Sequence, residues 1–457
     1  MKRPFRILCI LSFVILIGLP VSVRADISPP GQPPGSNPEP GAEFTEVRMV
    51  AETVVIDVQA NTPQNSLGQA KVSAGFTMRN LGSASESMGV RFPLGANNGF
   101  GEVAEVKNFS VKVNGNPVVT RRIMQEDALD GKAPWAEFDA TFPPNQDVNI
   151  QVTYLLEGMG EYPYAAFFYV FHTGAGWKDS IGSADLIVRL PYEANAFNVI
   201  FDEQIGWSST TPGGVIQGQE IQWHFEDLEP DQSNDFQISI VMSSIWQKVL
   251  KEQVALNVNP NDGEAWGRLG KLYKEMFFFR RGFRHDAGGS QLYQMSVDAY
   301  ENALMFLPND ALWHAGFADL LAIHSYYAAQ DGLDMRAEML RSMQEIHQAL
   351  ELSPNDAKVK EIAEKIYYFF PNAIQQLESG YDYLWLTVTP ELPTPTLAPS
   401  TPTPLPEATT PPLSTATAFP ALEATSTPAP VKAANPLCGS AALVLFALFG
   451  FLYRKVS

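Results

Sequence analysis

From Thr45 to Ser243, apolar and polar residues alternate in short runs punctuated by Gly, Pro, Asn and Asp, a pattern that predicts successive strands. Phe109, Val111 and Val113 fall on one face, with Ser110 and Lys112 on the other. Asn114-Gly115 then predicts a type I′ turn into a returning strand over Val118 to Arg122. The same period of two runs through Val148, Ile150, Val152 and Tyr154, through Leu186, Val188 and Leu190, through Ile221, Trp223 and Phe225, and through Phe236, Ile238 and Ile240. Roughly a dozen short strands with no long helix between them predict an all-β antiparallel sandwich over residues 45–243. Within it, Tyr162 to Trp177 is dense in aromatics. These are expected in the core, the usual place of large rings between packed sheets.

Beyond Ser243 the pattern turns helical over residues 244–386. Pro-Asn-Asp recurs at Pro260, Pro308 and Pro354, spaced by 48 and 46 residues, each time after a helix-like stretch. This predicts a lone helix (Ser244 to Val258), two helix pairs and a closing helix (Ala357 to Tyr368). Trp266, Leu269, Gly270 and Tyr273 after Pro260, and Tyr300 and Ala303 before Pro308, resemble the tetratricopeptide repeat. The period exceeds that family's usual ~34 residues. The surplus is expected between the helices of each pair, near Phe277 to Gln291 and Tyr327 to Met335. The resemblance implies an all-α repeat that binds a peptide along its first helices. The matching positions are Glu264, Lys271 and Lys274, then Leu312, Asp319 and Ala322, then Lys358, Glu361 and Lys365. They lack the basic and amide set that clamps a C-terminal carboxylate in chaperone-binding members.

Four stretches of the β-region also resemble a family of exported bacterial β-domains: Val47 to Ile56, Gly89 to Leu94, Thr141 to Tyr154 and Thr173 to Leu190. That resemblance brings no activity with it.

Both ends carry export signals. Residues 1–25 combine Lys2, Arg3 and Arg6, an apolar run from Ile7 to Leu19, and Val23 and Ala25 where a signal peptidase reads, which predicts a cleaved signal peptide. A Pro/Gly-rich linker over 26–44 follows. Residues 389–436 hold 13 prolines and 11 threonines, so 387–436 is expected to be a disordered stalk. Leu437 to Tyr453 is an uncharged run of 17 residues before Arg454 and Lys455, which predicts a transmembrane helix with 454–457 as a cytoplasmic tail. With Pro436 to Ser440 ahead of it, the end is similar to bacterial C-terminal anchoring signals. The expected location is the cell membrane, single-pass, with the body extracellular.

Charge narrows the partners. The chain carries −19, and loss of residues 1–25 removes Lys2, Arg3, Arg6 and Arg24, leaving 27 basic against 50 acidic residues, or −23. Such a surface repels phosphate backbones, so no nucleic acid is expected. Cys9 lies in the signal peptide and Cys438 at the apolar run, so no internal disulfide and no catalytic thiol are expected.

Chemistry-bearing motifs are sparse. There is no Gly-x-Ser-x-Gly, His-Glu-x-x-His, phosphate-loop or dinucleotide fingerprint, and neither cofactor nor metal is expected. Asn257 to Glu264 echoes a calcium loop, but the repeating Pro-Asn-Asp turn accounts for it. His285-Asp286 lacks further ligands, and His172 and His224 are expected to be satisfied side chains. The expectation is a non-enzymatic, membrane-anchored binding or scaffold protein whose partner is a protein or peptide. One alternative is a glycan-binding adhesin or cell-envelope component. The other is a hydrolase with carboxylates such as Asp139, Asp185 or Glu226 brought together.

Overall fold

The computed structural model describes residues 39–40, 45–61, 63–95, 105–126, 132–201, 209–229, 235–280, 287–371, 374–377 and 380–383. The expected signal peptide, stalk, membrane run and tail, and His285-Asp286, lie outside them. Among the described residues, no helix is long and apolar enough to cross a membrane.

The alternating patterns become a β-rich domain built on one eight-stranded sheet. Its strands are β2 (Val47–Val58), β3 (Gln69–Asn80), β5 (Lys107–Val113), β6 (Asn116–Pro117), β9 (Asp147–Glu157), β11 (Ile181–Arg189), β12 (Val215–Gln217) and β13 (Glu220–Leu228), in the order β12-β13-β11-β2-β3-β9-β5-β6. A four-stranded sheet runs β1 (Glu39–Pro40), β4 (Glu86–Pro93), β8 (Lys132–Phe142), β7 (Arg121–Glu126), and β10 (Tyr164–Tyr169) pairs with β14 (Phe236–Val241). Val54, Ile56, Phe76, Val152, Tyr154, Leu186 and Trp223 form the buried face of the large sheet. Both smaller sheets meet that face: Phe92 packs on Tyr154 at 5.5 Å, and Phe236 meets Trp223 edge-on at 4.8 Å.

Three expectations change here. The large sheet is mixed, because β11 runs parallel to β2 from Ser183↔Ala51 to Arg189↔Asp57. After β9 the chain leaves the sheet, forms β10 elsewhere and re-enters beside β2, and such a crossover allows parallel pairing where a tight turn would not. The Asn114-Gly115 turn has positive φ at both residues (50° and 77°), as a type I′ turn requires. Its returning strand, however, is only Asn116–Pro117. Pro117 has no N–H to extend the ladder, and Arg121 to Glu126 instead joins β8. Finally, Glu39–Pro40 in the expected linker pairs with Arg91 and Val90 of β4.

Six helices follow: α1 (Ser243–Val258), α2 (Gly263–Arg280), α3 (Ala287–Phe306), α4 (Ala311–Gln330), α5 (Arg336–Leu352) and α6 (Ala357–Phe369). After them β15 (Ile374–Leu377) pairs with β16 (Gly380–Tyr383). Each Pro-Asn-Asp turn ends in a capping aspartate. Asp262 accepts from the Ala265 N–H, Asp310 from those of Leu312 and Trp313, and Asp356 from those of Lys358 and Val359, which satisfies otherwise orphaned donors. In the first unit part of the expected surplus is helical, Phe277 to Phe279 and Gly288 to Gln291, whereas in the second Asp331 to Met335 separates α4 from α5 within the expected stretch.

The two regions share one core. Buried Ile245, Trp246 and Val249 of α1 and Tyr273, Met276 and Phe277 of α2 belong to the same apolar cluster as the sheet residues. At the junction, the Tyr164 ring lies 4.8 Å from Phe279, tilted by 33°, and buried Arg280 donates from Nη1 to the Ala196 carbonyl at 2.7 Å. A second, separate cluster rests on α4, α5 and α6.

Candidate interaction face of the helical units

The first helices of successive units, α2, α4 and α6, stand side by side, and a line of charge crosses all three. Lys274 of α2 places Nζ 2.9 Å from Asp319 Oδ2 of α4, and Lys365 of α6 places its own 2.7 Å from Oδ1. Lys274 also donates to the Gly316 carbonyl at 3.3 Å. The Phe278 ring lies under both ammonium groups, at 5.5 Å from Lys274 and 4.8 Å from Lys365. Each carboxylate oxygen thus serves one lysine from a neighbouring helix, so Asp319 fixes three units at one height.

Electrostatics follow from that arrangement. Burial opposes the charge on Asp319, but the Lys274 and Lys365 ammonium groups outweigh it and hold the carboxyl below its usual range. Burial likewise opposes a charged Lys274, yet Asp319 beside it keeps the amine protonated well above the ordinary lysine value. Tyr300, buried against the same group, is pushed up to about 12, with burial the main cause.

The structure sorts the positions implied by the repeat. Lys274, Asp319 and Ala322 are buried, and Lys365 is half-buried, so these side chains join units to one another. Glu264, Lys271, Leu312, Lys358 and Glu361 are exposed. Among them, Lys358 pairs with Glu361 at 2.9 Å, Lys271 lies 3.9 Å from Glu275, and Glu264 lies 3.8 Å from Arg268. Leu312 is the apolar member, 46% exposed.

The fold-signature residues have defined duties. Leu269, Gly270, Tyr273, Tyr300 and Ala303 are buried, while Pro260, Pro308 and Pro354 stand exposed at the turns. Trp266 is half-buried, and its Nε1 donates to the Pro260 carbonyl at 2.8 Å. A Cβ on Gly270 would stand 3.2 Å from Tyr300 Cγ, so glycine permits that close helix crossing. Sequence reasoning missed Phe278. Its only signal was the Phe277-Phe278-Phe279 run, in which the first ring is buried and the other two are half-buried.

Elsewhere, the aromatic segment is core: Tyr164, Phe167, Tyr169, Phe171 and Trp177 are buried. Tyr162 is 50% exposed and donates to Glu275 of α2 at 2.7 Å. Asp185 and Glu226 flank His224 on an exposed strand surface, with Nδ1 2.6 Å from Asp185 and Nε2 3.5 Å from Glu226. The Asp185 bond, with Glu226 adding to it, raises the His224 pKa. Asp139 lies in the other sheet, paired with Arg121 at 2.7 Å, so the three carboxylates do not converge. Asp262 caps α2, which is the duty of the calcium-loop lookalike.

No family model matches the chain, and no curated protein matches it. Among solved structures, a Legionella pneumophila protein provisionally assigned as nutrient binding is 19% identical, with a TM-score of 0.40 over 58% of this chain and 98% of that one. An M1 zinc metallopeptidase from Deinococcus radiodurans is 10% identical, with a TM-score of 0.23 over 43% of this chain and 42% of the peptidase. At these similarities neither shows a shared fold or function.

Proposed function

We propose that the chain is an extracytoplasmic binding or scaffold protein, held at the cell membrane by its C-terminal run, whose tetratricopeptide-like helices engage a protein or peptide. The observation that carries this reading is the alignment of α2, α4 and α6. They are locked by Lys274, Asp319 and Lys365, and they leave Glu264, Lys271, Leu312, Lys358 and Glu361 at the surface. An array of helices with mixed charge around exposed Leu312 and Tyr368 suits an extended partner bearing alternating charge and apolar anchors. The glycan-binding alternative loses most of its support, since the aromatic segment it would use is spent in the core.

A photo-crosslinking residue placed at Leu312 in the full chain, displayed on intact cells, tests the reading. Specific adducts at Leu312 that are absent from a probe at Val119, which is 86% exposed on the β-rich domain, are the expected result. Equal labelling at both sites, or none at Leu312, would remove the helical face as the binding surface.

A further inference from the structure

The ring six residues after each of the first two repeat prolines makes the same contact. Trp266 donates from Nε1 to the Pro260 carbonyl at 2.8 Å, and His314 places Nε2 2.9 Å from the Pro308 carbonyl. An indole N–H always donates. An imidazole does so only when that nitrogen is protonated. The other His314 nitrogen, Nδ1, lies 2.6 Å from Glu345 Oε2 on α5. Both oxygens are acceptors, so either neutral tautomer leaves one nitrogen lone pair facing an oxygen. Only the imidazolium satisfies both.

We propose that His314 is a proton-dependent latch, which when protonated ties the Pro308 turn and Glu345 together and when neutral loosens the α4–α5 pair. The surrounding charges favour the closed form. From α5 the ring faces Glu345, whose second oxygen is 3.7 Å from Arg341 Nε, and Arg341 is itself held at 2.7 Å by Glu301 of α3. Asp310, which caps α4, adds negative charge from the turn, while α2 and α6 contribute no ion-pairing side chain to the ring among the described residues. Burial alone would lower the His314 pKa, but the Glu345 bond, the Pro308 bond and the nearby carboxylates outweigh it, so the pKa is raised.

The sign follows by linkage. A histidine whose folded pKa is raised contributes stability that is fully present below its unfolded value and is lost as pH rises through the folded one. The seam it closes is lined by small side chains: Ala311, Ala315, Ala318, Ala322, Ala349 and Ala363 supply half of the buried cluster shared by α4, α5 and α6. Small side chains bury little apolar area each, so polar ties add to the cohesion there, His314 to Glu345 beside His324 to Glu338 at 2.7 Å and Ser342 to the Ala318 carbonyl at 2.8 Å.

The test is hydrogen exchange of the full chain from about pH 5.5 to about pH 8.5, spanning the ordinary imidazole range. Amides of α4 and α5 are read against those of β2 and β3, after correction for intrinsic exchange. Protection of α4 and α5 should fall with rising pH relative to the strands. His314→Gln and Glu345→Gln should each flatten that dependence, the second by giving Nδ1 an amide that can donate to it. A flat wild-type profile, or a slope that survives in either folded variant, overturns the latch.

Discussion

Glu52 shows what a single side chain can cost and how little of its setting is readable in advance. The alternation of β2 turns Glu52 inward with Val54 and Ile56, and it is 1% exposed. Its Oε1 accepts from the Tyr169 hydroxyl at 2.7 Å, across 117 residues of chain. Period-two reading thus predicts the carboxylate's direction, but no local pattern can name a donor so distant in sequence. Burial first, and the Glu52 charge second, push the Tyr169 pKa well above its ordinary value, so the hydroxyl remains a donor at every ordinary pH. Tyr169→Phe keeps the ring and removes only that donor. It should cost about 1–3 kcal/mol, the usual penalty for leaving a buried polar group short of a partner. Equilibrium urea unfolding measures it, and an unchanged midpoint would show that the Tyr169 bond adds nothing to folding.

For the helices, the repeated turn was the most legible feature and the close crossings the least. Pro260, Pro308 and Pro354 marked the unit boundaries because each precedes a capping aspartate, and a cap is a local device. Gly270 could be read from its signature spacing. Gly267 could not, because the indole it admits is Trp313, on the next unit's first helix. Part of the first unit's surplus length was misplaced for a related reason: residues such as Phe277 to Phe279 have no turn signal, and they extend α2, placing Phe279 against Tyr164 of the β-rich domain. Helix propensity and packing make opposite predictions for Gly267→Ala. Propensity alone favours alanine by about 1 kcal/mol, but the added methyl collides with the Trp313 ring. Overpacking of this kind costs about 1–3 kcal/mol, so the net effect should be destabilising. Gly270→Ala, whose new methyl would stand 3.2 Å from Tyr300, should be milder. Denaturant midpoints of the two variants test that order, and a stabilised Gly267→Ala would mean the indole moves aside freely.

Across the whole molecule, the central question is whether strands and helices fold as one body. The join between β14 and α1 contains neither proline nor glycine, which argues for a shared interface in place of a swinging linker. The contacts that make the interface were not legible. Arg280 reads as an ordinary cation at the end of a helix, yet it is 1% exposed and donates to the Ala196 carbonyl. Gly288 of α3 is held to glycine by the same carbonyl and the same guanidinium. Tyr164 adds a hydroxyl donated to the Met276 carbonyl at 3.4 Å, and the Tyr192 ring lies 5.9 Å from Trp246. A short helical array has one end that its own units cannot cover, and here sheet residues cover it. Unfolding of a chain ending at residue 386 should therefore be a single transition, with strand and helix signals coincident. Arg280→Ala should lower its midpoint, because it removes a bond from a charged donor to the Ala196 carbonyl, a class of bond worth roughly 1.5–3 kcal/mol. Residues 244–386 alone should unfold earlier than they do in the longer chain. If the isolated helices unfold at the same midpoint as in the pair, the sheet gives them no support, and the shared core contributes contact without cooperativity.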